Sequence, residues 1–244
     1  MSAAYRKVNS VLVIDVGGTH VKVMATGQPE ERRVDSGSKM TAVKMVRHVK
    51  RLAKGWQYDC VSIGYPGPVM HGYPVNEPHN LGGGWVGFDF GKAFDRPVKV
   101  INDAAMQALG SYQGGRMLFL GLGAGLGSAM IVDGILVPME LAHLPYKKGK
   151  TYEGYVGARG LKRLGKKVWR RHVTHVVELL KKALEAEYVV LGGGNAKHIK
   201  HLPPDTRMGD NRNAFVGGSR LWEKKTKPSG GIQKKPAARE GDDL

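Results

Sequence analysis

Two glycine-rich turns, each set between two strand-like runs, constrain the fold of this chain more than any other feature. The first, Asp15-Val16-Gly17-Gly18-Thr19, follows the apolar run at 11–16 and leads into the run at 21–25. The second, Gly121-Leu122-Gly123-Ala124-Gly125-Leu126-Gly127-Ser128, joins 117–122 to 129–132. Such a turn exposes backbone N–H groups that cradle a phosphate, although a ligand-free glycine hairpin has the same pattern. The second turn is not a dinucleotide fingerprint. Leu126 holds the place of the third glycine, and a strand-like run rather than a helix follows.

Further runs at 60–65, 98–101, 135–137 and 188–191 read as strands. The patterns at 41–54, 104–112 and 161–184 read as helices. This alternation falls into two groups around position 102, which predicts an α/β chain of two lobes with a cleft between them. Residues 1–101 then form the first lobe with the first turn. Residues 102–222 form the second lobe, and 223–244, poor in apolar residues, a disordered basic tail. Cys60 is the only cysteine, which excludes an intrachain disulfide framework and a cysteine-based zinc cage. Residues 1–10 lack the apolar stretch of a signal peptide. No run reaches the ~20 apolar residues of a membrane span, so a cytoplasmic chain with no membrane partner is expected.

The formal charge of +17 points to a polyanionic partner or substrate. Positions 147–182 hold twelve Lys and Arg against only Glu153 and Glu178. Within them Arg163, Lys166, Lys167 and Arg170 recur at i, i+3, i+4 and i+7, one face of a helix. That face reads as a basic track, with a merely solvated helix as the alternative. Gly160 to Lys166 mimics a phosphate-binding loop motif, but Lys167 stands where Ser or Thr is required. Aromatic residues make up 7% of the chain, and those near the basic segment form no stacking platform, so nucleic acid is not the expected partner. A non-enzymatic polyanion- or nucleic-acid-binding module remains the reading from a different class, and a sensor that binds its ligand without turning it over is a third.

The remaining candidates carry polar chemistry. Asp15, at a strand end, suits a Mg²⁺ held through water. Asp103 follows Asn102 where a strand gives way to a helix, the place where open α/β sheets bind ligands; it is a candidate general base, with helix capping as the plain alternative. Glu140 and His143, followed ten residues later by Glu153, suit hydrogen bonds to hydroxyls, with a surface turn that presents the same pair as the alternative. Gly192-Gly193-Gly194 after the run at 188–191 admits a flat ring or a phosphate close to the backbone, and equally reads as only a flexible strand-to-helix turn. No protein-built metal cluster is expected.

In order, Asp15-x-Gly-Gly-Thr, Gly64-Tyr65-Pro66-Gly67-Pro68-Val69, Asn80…Trp85, Asn102-Asp103-Ala104, Gly123 to Gly127, Glu140-Leu141-Ala142-His143 and Gly192 to Gly194 resemble the ROK family of sugar kinases. The resemblance spans about 11–222 and implies a two-lobed actin-like (ribonuclease H-like) ATPase fold. It implies Asp103 as the base that deprotonates the 6-hydroxyl of a hexose. Asn80, Asn102, Glu140, His143, Glu153 and Gly67 then bind the sugar. Asp15, Gly17, Gly18, Thr19, Lys22, Gly123, Ala124, Gly125 and Gly127 bind phosphate with Mg²⁺. Ala142 and Ala124 depart from the family's usual Gly and Thr. The short chain and absent zinc cysteines look most like the polyphosphate glucokinases. The resemblance therefore implies glucose as acceptor, polyphosphate as donor with ATP as a second candidate, and a homodimer. A strictly ATP-dependent kinase, or one acting on mannose, stays open.

Overall fold

β-branched residues build the first strands. β1 (Val11–Val16) is buried at every position except the half-buried Asp15. β2 (His20–Ala25) alternates, burying Val21, Val23 and Ala25. The computed structural model describes residues 10–210 and 212–223. The expected tail, apart from Glu223, lies outside the described residues.

The first half continues with β3 (Arg32–Asp35), α1 (Ala42–Leu52), β4 (Cys60–Tyr65), a small hairpin of β5 (Val69–Met70) and β6 (Tyr73–Pro74), α2 (Phe90–Phe94) and β7 (Val98–Asn102). α1 forms because Ala42, Met45, Val46 and Val49 make one apolar stripe and the Thr41 hydroxyl accepts the Lys44 N–H. The second half holds α3 (Asp103–Ser111), β8 (Arg116–Leu122), β9 (Leu126–Val132), β10 (Ile135–Met139), a hairpin of β11 (Pro145–Lys147) and β12 (Lys150–Thr151), α4 (Tyr152–Val156), α5 (Ala158–Ala183), β13 (Tyr188–Gly192), β14 (Thr206–Met208) and α6 (Asn213–Arg220).

Two five-stranded sheets result, in orders β3-β2-β1-β4-β7 and β10-β9-β8-β13-β14. Each is an antiparallel three-strand meander extended by two parallel strands. One supersecondary plan is thus used twice, and each copy carries one glycine turn between its first two strands. Ala104, Ala105 and Ala108 of α3 pack with Phe119, Ala129 and Ile131 of the second sheet. Met106 of the same helix joins Val11, Val13 and Cys60 of the first.

Some elements differ from the sequence expectation. β3 is an exposed edge strand of Arg32, Arg33, Val34 and Asp35, whose charges hide the strand pattern. α6 is masked by Gly217 and Gly218, poor helix formers. Although α6 lies within 102–222, its Ala214 and Phe215 pack on β1 and β4 of the first sheet. The helix expected at 161–184 starts earlier, at Ala158, and is interrupted at Gly165, with φ 70° and ψ 159°. Only glycine adopts that conformation readily. Among the described residues, no helix is long and apolar enough to cross a membrane.

Candidate active site

The carboxyl end of β7 sets the centre of the site. Asn102 caps α3: its Oδ1 accepts from the Ala105 N–H at 3.0 Å, and its Nδ2 donates to the Gly67 carbonyl at 3.1 Å. It thereby ties the loop after β4 to the helix start. Asp103 is then the first helical residue, and its Oδ1 accepts from the Ala104 N–H at 2.8 Å. A helix N-terminus favours the charged carboxylate. Burial opposes it more strongly, and with Asp15 nearby pushes the Asp103 carboxyl up to about 7; the Ala104 N–H lowers it and Glu140 raises it further.

Asp15 pairs in register with Lys22 across β1 and β2. Burial pushes its carboxyl up to about 6, against the pull of Lys22, while Glu31 adds to the rise. Lys22 also lies 3.9 Å from Glu31. In the first turn the Gly17 N–H donates to the His20 carbonyl at 2.9 Å, and the Ser36 hydroxyl donates to the Gly17 carbonyl at 2.6 Å. Gly18 lies against Asn80, whose Cβ is 3.3 Å from where a Cβ on Gly18 would stand. Thr19 is exposed, and its carbonyl accepts from the Ser36 N–H. The Asn80 loop is held by Glu77, whose carboxylate accepts from the N–H groups of Trp85 and Val86 at 3.1 and 3.2 Å.

The second turn is braced from three sides. The Gly123 N–H donates to the Gly125 carbonyl, and the Ala158 N–H at the start of α5 is shared by the Gly123 and Ala124 carbonyls. A Cβ on Gly125 would stand 2.2 Å from Glu153 Oε2, and one on Gly127 would stand 2.8 Å from the Ala104 Cβ. Asn195 donates through its backbone N–H to Leu122 and through Nδ2 to Gly123, both at 2.9 Å. Gly193, at φ 81°, has no room for a side chain beside the Leu122 carbonyl. Gly192 packs on Phe119, and Gly194 faces open space. The loop at 192–194 therefore sits on the back of the second turn.

Glu140 and His143 face each other at 3.9 Å, both exposed. Partial burial raises the Glu140 pKa, His143 lowers it, and Glu153 raises it. Asp103, Glu140 and Glu153 thus form one electrostatic neighbourhood of acceptors. Ionised carboxylates only accept hydrogen bonds, so this group suits a neutral ligand rich in hydroxyls and disfavours an anionic one. Among the described residues, no three His, Cys, Asp or Glu gather to hold a metal.

The basic track as a single helix face is not there. The break at Gly165 separates Arg163 from Lys166, Lys167 and Arg170. Arg163 turns back, donating to the Gly154 carbonyl at 2.7 Å and stacking 4.9 Å from the centre of the Tyr155 ring. Arg170 donates through Nε to the His198 carbonyl at 2.5 Å. Lys166 and Lys167 are exposed. The sequence assigns no role to Glu77, Ser36 or Asn195. Asn195 directly follows the glycine triplet, so a signal existed. The bonds of Glu77 and Ser36 are fixed only by how their loops fold back.

The chain is 32% identical over 133 residues to a glucokinase of Pyrobaculum calidifontis; the match covers 52% of this chain and 44% of that protein. It is 27% identical over 214 residues to a polyphosphate glucokinase of Mycobacterium tuberculosis, covering 78% and 80% of the two. The crystal structure of an inorganic polyphosphate/ATP-glucomannokinase from an Arthrobacter strain superposes with a TM-score of 0.68 at 25% identity, covering 87% of this chain and 98% of that one. The fold is the actin-like ATPase fold shared by these sugar kinases. The ROK family model matches residues 11–138, just over half of the chain. This chain belongs to the ROK family.

Proposed function

We propose that this chain is a hexose kinase that moves a phosphoryl group from inorganic polyphosphate, with ATP as a second donor, to the 6-hydroxyl of glucose. The observation that carries this reading is the half-buried Asp103 carboxyl, raised to about 7 and in electrostatic contact with Asp15 beside one glycine turn and with Glu140 near the other. The mycobacterial and Arthrobacter relatives, whose names include polyphosphate, support the donor.

Asp103 accepts the proton of the sugar hydroxyl while that oxygen bonds to the terminal phosphorus. The bridging P–O bond breaks, and its electron pair leaves on the shortened donor. General-base help of this kind is worth ~10²–10⁴-fold. Glu140, Glu153, His143 and Asn80 hold the other hydroxyls, and Asn102 and Gly67 fix the start of α3. Backbone N–H groups of the two turns orient the phosphates, which is most of what phosphoryl transfer asks of a protein. The site suits Mg²⁺, since Asp15 and Asp103 are half-buried acids that repel each other and a divalent cation relieves that repulsion. Asp15 is the residue that would hold it, with retained water. When bound, Mg²⁺ supplies neutralisation of the phosphate charge.

Incubation with glucose, Mg²⁺ and either polyphosphate or ATP, assayed for glucose 6-phosphate, tests the reading. Absence of product with both donors refutes it, and a mannose arm separates the two hexoses. A second expectation concerns Gly125→Ala. The new methyl displaces Glu153 without straining the backbone, because Gly125 has no positive φ. The KM for hexose rises roughly tenfold, in line with the cost of small misplacements. An unchanged KM would remove Glu153 from the sugar site.

A further inference from the structure

A groove of about 510 Å³ lies between the second half of α5 and the segment after the short 3-10 turn at Ala196–His198. Arg170, Arg171, His175, Lys200 and His201 line it against one acid, Glu178. Lys166 and Lys197 extend the positive field at one end: after desolvation, their charges and that of Arg170 lower the pKa of His198. Arg171, Lys197, Lys200 and His201 are exposed.

The groove is joined to the second glycine turn by a run of hydrogen bonds. Gly123 accepts from the Asn195 side chain at 2.9 Å, the His198 N–H donates to the Asn195 carbonyl at 3.0 Å, and the His198 carbonyl accepts from Arg170. A ligand leaving the turn on this side therefore meets cationic groups. A purine asks for a flat apolar slot, and Ile199 is the one aliphatic residue among the lining side chains. Single-stranded nucleic acid asks for aromatic faces on which bases stack, and the lining includes no Phe, Tyr or Trp. The groove offers closely spaced positive charge. A linear chain of phosphates has that pattern and releases condensed counterions when it binds.

We propose that this groove binds the distal phosphates of a long inorganic polyphosphate whose reacting end lies at the glycine turns. The proposal rests on the kinase reading above and adds a donor subsite made of Arg171, Lys197 and Lys200 with their neighbours. It makes chain length matter: a long donor spans the groove, while tripolyphosphate and ATP end before it.

The test is the triple variant Arg171→Gln, Lys197→Gln, Lys200→Gln, assayed with long-chain polyphosphate, tripolyphosphate and ATP at low and moderate salt. The KM for the long chain rises roughly tenfold at low salt and its salt dependence flattens, while the short donors change less than about twofold. Equal losses with all three donors, or an unchanged KM for the long chain, would overturn the groove. Should the wild-type chain make no product from any donor, the kinase reading fails on its own. Calorimetric titration with long-chain polyphosphate then decides the groove separately, weaker binding by the variant supporting it and equal binding refuting it. An oligonucleotide of matched charge that competes as strongly as polyphosphate would reassign the groove to nucleic acid.

Discussion

Asp103→Asn lowers kcat/KM for hexose phosphorylation by about 10²–10⁴-fold and at the same time raises the melting temperature of the ligand-free protein at pH 8. Both effects come from one carboxyl. Asparagine keeps an oxygen to accept the Ala104 N–H, so the helix start survives, but it cannot take a proton from the acceptor hydroxyl. The stability gain follows from the raised pKa. Asp103 ionises near 7 in the folded chain against an ordinary value of 3.8. Between these values the folded chain keeps a proton that the unfolded chain has released, so stability falls as pH rises through this window. Above about 7 the penalty is complete, and asparagine does not carry it. The melting-temperature gap between variant and wild type is therefore largest at pH 8 and shrinks towards pH 5. A gap of the same size at both pH values would mean that the carboxyl is not raised.

The same pair of acids shapes the wild-type pH profile. Asp15 and Asp103 interact, so their protons leave in two steps that belong to the pair, at about 6 and about 7. The kcat/KM of the free enzyme rises with pH across this range and levels off above it. A profile already flat at pH 5 would exclude Asp103 as the base.

Gly217→Ala destabilises the chain by about 3 kcal/mol or more, the upper end of the usual cost of overpacking. A Cβ at Gly217 would stand 1.8 Å from the Met106 carbonyl oxygen and 2.8 Å from the Gly110 nitrogen. Both are backbone atoms of α3, so the helices must separate before the methyl fits. The contact is reciprocal, since a Cβ on Gly110 would meet the Asn213 carbonyl at 1.8 Å. For a chain of this size the melting temperature drops by roughly 6–12 °C. Activity falls with it, because Asp103 and its Asn102 cap sit at the other end of α3. Gly83→Ala is the control: its nearest outside atom is 3.8 Å away, and its melting temperature stays within about 1 °C. Equal stability of Gly217→Ala and wild type would mean that α6 is not seated against α3.

The turns and strand ends that carry the proposed site could be read along the chain because they are local. Asp15 with Gly17 and Gly18, Asn102 with Asp103, and Gly123 with Gly125 and Gly127 are each short stretches in which a strand end and a turn fix backbone direction within a few residues. The basic track failed for the opposite reason. Spacing alone put Arg163, Lys166, Lys167 and Arg170 on one helix face, but a positive φ at Gly165 ended the helix between them. Arg163 then found the Gly154 carbonyl and the Tyr155 ring, contacts that no sequence spacing encodes.

The sequence by itself determined the two strand–glycine turn–strand units, the strand-to-helix step that presents Asp103, and the excess of positive charge. Each follows from periodicity, from backbone freedom at glycine, or from counting charges, and none needs a distant partner. Tertiary structure alone decided that α6 returns to the first sheet, that Glu153 lies against Gly125, and that Arg171 and Lys200 line one groove. Those pairings join residues far apart in the chain, and they depend on close packing and burial, which exist only once both sheets have closed on α3.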